Sequence, residues 1–343
     1  MAYTPIDNPG ENFNTILYTG NSSTQSITGV GFQPDWVWCK SRSGADNHAI
    51  FDSVRGGQKQ LRSNTSGAEL TRTNAISSFN SDGWSMGSQP EMNSSGTTYA
   101  SWNWKAGTSF TNDASATGIG TIDSTGSAND TSGFSIVSYT GNGTSGATVK
   151  HGLSTALDVI FIKDRDEAEA WQTYHRPLGA THHLSLNTTA SAQDNVSRFN
   201  DVDPTSSVFT LGNNDTVNKN TVKYIAYCFA PKQGYSRVGT FLSNNTTDNA
   251  WVYCGFKPAL VLLKSTTSTN DWMIFDNKRD PFNVTQHKIY PDLSNAEATN
   301  ENDLDFLSTG FKLRNNHGAN TFIFMAFAEQ PFVTSTGVPA TAR

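Results

Sequence analysis

Apolar residues in this chain gather in short aromatic and β-branched runs bounded by Gly, Asn, Ser and Thr, the pattern of β-strands joined by turns. The runs also recur. Gly31-Phe32-Gln33-Pro34 returns as Gly255-Phe256-Lys257-Pro258, at an offset of 224 residues. At that same offset Lys40 matches Lys264, Ile50-Phe51-Asp52 matches Ile274-Phe275-Asp276, and Arg55 matches Arg279, without a gap. A more divergent copy lies between them. It starts at Gly152-Leu153, runs through Val159-Ile160-Phe161-Ile162-Lys163 and reaches Trp171-Gln172-Thr173-Tyr174. Each copy opens on a similar strand (Ile16-Leu17-Tyr18, Ile136-Val137-Ser138-Tyr139, Val238-Gly239-Thr240-Phe241) and closes on another (Tyr99 to Trp104, Tyr224 to Phe229, Phe322 to Phe327).

Trp36-Val37-Trp38-Cys39 and its counterpart Leu260-Val261-Leu262-Leu263 are apolar at successive positions rather than at alternate ones. A strand of that kind is covered on both faces. One sandwich core covers one face, so a neighbouring copy or a partner chain is expected on the other. The reading is an all-β fold of three tandem, internally repeated β-sandwich units, lectin- or jelly-roll-like, packed side by side. A single merged lectin-like sandwich is the alternative. The expected divisions are 1–107 for an N-terminal arm and first unit, 108–130 for a Gly/Ser/Thr linker or extended arm, 131–231 and 232–332 for the other units, and 333–343 for a tail.

Composition narrows the function. Ser, Thr and Asn make up about a third of the 343 residues, and such side chains compete with helical backbone bonds, which argues against a mainly helical enzyme. The chain has 20 Phe, 10 Tyr and 8 Trp, enough to fill β-sandwich cores. With 24 Lys+Arg against 30 Asp+Glu and no basic cluster, nucleic-acid binding lacks its electrostatic basis. No apolar run is long enough to span a membrane, and the start, Met1-Ala2-Tyr3-Thr4-Pro5, shows no secretory signal. Cys39, Cys228 and Cys254 lie in apolar strands, far apart, and read as buried thiols.

Candidate chemistry is sparse. There is no Gly-x-Ser-x-Gly elbow, and the acidic run from Asp164 to Glu169 falls in a loop whose counterparts are poor in acids. Asp201 with Asp203, and Asp303 with Asp305, supply too few oxygens for calcium. No catalytic residue, cofactor or metal is therefore assigned. Asp52 with Arg55, repeated as Asp276 with Arg279, is the polar pair of most interest; the middle copy has His175 and Leu178 there. A guanidinium fork suits a carboxylate, so each pair is either a local link or a ligand contact. Trp171 and Trp272 occupy matching positions, with His48 in the first copy, and are candidates for stacking on sugar rings. Trp102 and Trp104, two apart, are expected in the core.

Several stretches resemble a family of virion structural proteins of marine tailed phages, including phages of cyanobacteria. They are Asp7-Asn8-Pro9, Thr15 to Asn21, Gly31 to Trp38, Phe51-Asp52-Ser53-Val54-Arg55-Gly56, Ser81-Asp82-Gly83-Trp84, Gly133 to Thr144, Tyr224 to Cys228, Met325 to Phe332 and the tail Pro339-Ala340-Thr341-Ala342-Arg343. The resemblance implies a tail-fibre or particle-surface component made in the host cytoplasm, with other virion proteins of tail or capsid as partners, and brings no catalytic residues. Adhesion to host-surface glycan by a homo-oligomer is the expected role. A capsid decoration protein and a virion-borne glycan hydrolase are the alternatives.

Overall fold

The computed structural model describes residues 3–341; Met1 and Ala2, and the last two residues of the tail motif, Ala342 and Arg343, lie outside the described residues. The fold is all-β and almost entirely antiparallel, with helices no longer than four residues. No helix among the described residues is long and apolar enough to cross a membrane.

Three sheets follow one pairing scheme. In the first, strand Phe13–Thr19 pairs with Thr98–Trp104, which pairs with Trp36–Ser41, which pairs with Ala49–Asp52. In the third, the order is Ser236–Leu242, Thr321–Pro331, Phe256–Ser265 and Met273–Asp276. The middle sheet runs Phe134–Thr140, Lys223–Phe229, Val159–Asp164 and Gln172–His175, and carries two further strands at its first edge. Each sheet is backed by a smaller one: Gln25–Thr28, Gly83–Met86 and Ile76–Asn80 in the first unit, Ala147–Lys150 with Val208–Leu211 in the second, and Trp251–Tyr253, Gly310–Leu313 and Leu304–Leu307 in the third.

The successive apolar positions have a direct structural meaning. Val37 and Cys39 point outward into a core with Ile27, Trp84 and Met86, whereas Trp36 and Trp38 point inward. The inward faces of all three large sheets meet in one shared core containing Trp36, Trp102, Trp104, Phe161, Tyr227, Phe229, Leu262 and Phe327. Rings from different sheets touch there: Trp36 stacks on Tyr227 at 4.5 Å, Phe13 on Phe327 at 5.2 Å, and Phe229 meets Phe327 edge-on at 5.8 Å. At ~25 cal/mol per Å², a ring burying ~200 Å² contributes roughly 5 kcal/mol before entropy is counted, so this aromatic layer dominates the packing. The three cysteines are free and buried, Cys39 and Cys228 within strands and Cys254 directly after one.

Lys40, Lys163 and Lys264 sit at one position of the scheme and are wholly buried. Each ammonium donates to a carbonyl of the loop that follows its strand, Lys40 Nζ to Gly44 O at 3.2 Å, Lys163 Nζ to Glu167 O at 3.4 Å and Lys264 Nζ to Asn270 O. Lys40 and Lys163 also donate to the strand-end carbonyls of Ser41 and Asp164, both at 2.7 Å, and Lys264 to Thr189 O of the second unit at 2.8 Å. Burial lowers each pKa to about 8. The lysines thus pin the loop that leaves each inner strand.

The stretch expected as a linker is not one. Thr108–Asn112 and Ser124–Asn129 form a hairpin that extends the middle sheet, Ser127 facing Ile136 in register. Its intervening turn returns to the outer sheet, where Ile122 bridges Val149. The hairpin is held through its main chain, which a Ser/Thr/Gly sequence supplies as well as any other.

Candidate functional site

The two Asp–Arg pairs are brought to inter-unit junctions. A turn after strand Ala49–Asp52 lets the Arg55 amide donate to Asp52 Oδ1 at 2.7 Å while Arg55 Nε donates to Oδ2 at 2.6 Å. The second unit closes over this pair: Tyr227 Oη donates to Asp52 Oδ2 at 2.7 Å and lies 3.0 Å from an Arg55 nitrogen. Glu69 completes it, accepting from Arg55 at 3.0 Å and from Arg165 of the second unit at 2.8 Å. The other pair is built alike. Arg279 Nε donates to Asp276 Oδ2 at 2.5 Å, Trp102 Nε1 of the first unit donates to the same oxygen at 3.0 Å, and Glu297 links Arg279 to Arg42 of the first unit.

Both pairs have no exposed side-chain surface. A buried charge is tolerable only when paired and hydrogen-bonded, and these are. Burial works against the Arg55 charge, yet the Asp52 and Glu69 carboxylates beside it hold its pKa above the ordinary value. Burial likewise pushes Asp276 up, and the Arg279 guanidinium outweighs it and holds the carboxyl below the usual range.

Trp171 and Trp272 are also closed in, at 0% and 2% exposure. Trp171 Nε1 donates to Arg62 O of the first unit at 2.8 Å, and Trp272 Nε1 to Ser185 O of the second at 3.0 Å. His48 takes the same part in the first unit. Its Nδ1 accepts from Trp38 Nε1 at 2.8 Å, which leaves Nε2 to donate to Tyr290 O of the third unit at 2.9 Å. Burial lowers the His48 pKa to about 3, so the ring is neutral. The backbone amides of His48, Trp171 and Trp272 donate to Asn64, Asn187 and Asp292 respectively, at 3.0, 2.9 and 3.0 Å.

The ligand-contact reading of Asp52, Arg55, Trp171, Trp272, Asp276 and Arg279 is therefore corrected. A sugar needs an open ring face or a free fork; these groups spend theirs on neighbouring units. Of the aspartates weighed for calcium, Asp203 accepts from Tyr174 Oη at 3.0 Å and Asp303 is bonded by Lys288 at 2.7 Å, each within its own unit. Among the described residues no cluster of three metal-ligating side chains occurs.

An open site lies elsewhere, on the third unit. Strand Trp251–Tyr253 puts Val252 into the core and leaves Trp251 57% and Tyr253 43% exposed. Their ring centroids are 6.1 Å apart, at 63°. From the edge strand Ser236–Leu242, the Arg237 guanidinium lies over the Tyr253 ring, 5.5 Å from its centroid. Arg237 and Tyr253 are shared by two successive recesses of about 530 and 470 Å³. The first continues past Gly255 to Tyr3; the second continues to Trp251, with Gly239 and Phe324 in its lining. A side chain at Gly239 would meet the Phe324 ring at 2.5 Å, so glycine keeps this wall flat and aromatic. The sequence signal for this site is the Trp-Val-Tyr alternation, in which two aromatic residues flank one core residue.

Fold and groove together define an all-β, sandwich-like protein with an aromatic surface site. Residues 8–331 match the family described as Domain of unknown function (DUF7483), and the chain belongs to that family. A search of curated proteins finds no match.

Proposed function

We propose that this chain is a non-enzymatic structural component of a tailed-phage particle, carried on a tail fibre or the particle surface, where it attaches to host-surface glycan. The virion setting is supported by the motif resemblance described above. The adhesive role is supported chiefly by the exposed Trp251–Tyr253 pair. Exposed aromatic rings with polar neighbours offer the C–H faces of sugars a stacking surface while guanidinium and hydroxyl groups meet the sugar oxygens. The rigid three-unit scaffold would present that surface, and several copies on one particle would raise a weak single-site affinity by avidity.

The test is glycan-array binding by the full chain beside Trp251→Ala. Binding by the parent, lost at least tenfold in the variant with an unchanged melting temperature, is the expected result. Release of reducing sugar would favour the hydrolase alternative instead. Antibody labelling confined to the head of intact particles would favour capsid decoration.

A further inference from the structure

The groove on the third unit has a charge character unlike the rest of the molecule. The chain carries six more acidic than basic residues, 30 against 24, yet no Asp or Glu lines either recess. Its one cation, Arg237, is on the exposed strand edge. Arg55 and Arg279 are saturated by carboxylates, whereas Arg237 rests on the Tyr253 ring and makes no ion pair among the described residues. A guanidinium stacked on an aromatic face keeps its N–H fork in plane and free to meet a planar or tetrahedral oxyanion in bidentate fashion.

The second unit shows why this groove is open. There the corresponding gap, between strands Phe134–Thr140 and Ala147–Lys150, is filled by the chain itself. Ser124–Asn129 pairs with the first strand, and Thr121 and Ile122 donate their amides to Thr148 O of the second, at 2.8 and 3.1 Å. In the third unit no strand of the described residues pairs with the outer edge of Ser236–Leu242, and the recesses lie along that edge.

We infer that this groove binds an acidic oligosaccharide, a chain of sugar rings bearing carboxylate or sulfate groups, with Trp251 and Tyr253 stacking on ring faces and Arg237 pairing with the anionic substituent. The inference rests on the adhesion reading and narrows it to a ligand class. Two consecutive recesses on either side of Arg237 suit an extended ligand with the anion near its middle.

Calorimetry on the full chain would use three probes of similar length: an oligogalacturonate, a sulfated galactan oligosaccharide and a neutral cello-oligosaccharide. At least one anionic probe is expected to bind at least tenfold more tightly than the neutral one, and the two anionic probes identify which group is preferred. Raising salt should weaken that binding. Arg237→Gln should abolish the preference for the anionic probe, and Trp251→Ala should weaken all binding, with both variants melting as the parent does. Equal binding of neutral and anionic probes by the parent would overturn the acidic class and leave the adhesion reading standing. Anionic binding unchanged in both variants would overturn this site. No binding to these probes or to a glycan array would overturn both readings.

Discussion

Two of the three junctions between units are built on buried charge, and the third is not. Where the first unit meets the second, and the third meets the first, an Asp–Arg pair is roofed by Tyr227 or Trp102 and linked through Glu69 or Glu297 to an arginine of the neighbouring unit. Where the second unit meets the third, His175 takes the aspartate's place and its Nε2 donates to Phe324 O at 3.2 Å. One bond is common to all three. The amides of Glu69, Ala192 and Glu297 donate to the carbonyls of Arg165, Thr266 and Arg42, at 2.8, 3.0 and 2.9 Å. The main chain and the shared aromatic core therefore set how the units meet, and the charges are one of two ways of filling the space that remains.

This contrast can be broken at its strongest point. Arg55→Met leaves Asp52 in an enclosed junction without its cation and Glu69 with Arg165 alone, and losing one partner of a buried pair costs about 3–5 kcal/mol. Denaturant unfolding should show a loss of that order. His175→Leu, at the corresponding place in the uncharged junction, should change stability by only about 1 kcal/mol, since it removes one neutral hydrogen bond. Equal effects from the two variants would mean that the charged networks do not hold their junctions.

A second difference gives a pH test. Asn64 and Asn187 accept the amides of His48 and Trp171, but Asp292 takes that role for Trp272, beside Asp271 and Lys264. Burial and the Asp271 charge push the Asp292 pKa up to about 7. A carboxyl whose pKa is raised by folding contributes stability that is complete below its unfolded pKa of about 4 and is lost as pH rises through about 7. Asp292→Asn should therefore leave stability nearly unchanged at pH 4 and raise it at pH 8, measured by unfolding at both. A variant equally stable relative to the parent at the two pH values would show that Asp292 does not titrate in this window.

The smallest expected effect comes from adding charge to the third junction. Ala192→Glu together with Thr266→Arg installs the link seen at the other two, in a setting where a partly exposed pair contributes about 1 kcal/mol or less. A double-mutant cycle would measure the coupling between them. A coupling of several kcal/mol would make the charges, rather than the main chain, the organising feature.

Much of this was legible in the sequence. The gapless offset of 224 aligned Asp52 with Asp276 and Arg55 with Arg279, and the two-sided apolar strand at Trp36 anticipated coverage from a neighbouring unit. Other features were hidden for identifiable reasons. A Ser/Thr/Gly-rich hairpin pairs through its backbone and shows no apolar alternation; Gly126 is needed there because a Cβ would lie 2.1 Å from Ile136 O. Trp171 and Trp272 stand in polar surroundings along the chain, and only the three-dimensional arrangement reveals that another unit covers them. The Trp251–Tyr253 groove depends on a strand edge whose closure in the second unit comes from the hairpin just before that unit's first strand, a Ser/Thr/Gly stretch with no apolar alternation to announce it.

Because the three large sheets direct their aromatic rings into one common interior, the number of units is fixed by geometry. A solenoid can gain or lose a repeat, since each one meets only its neighbours. Here a unit cut out alone would expose Trp36, Trp38, Trp102 and Trp104, or their counterparts, to water. The three must therefore fold and unfold together, in one cooperative transition.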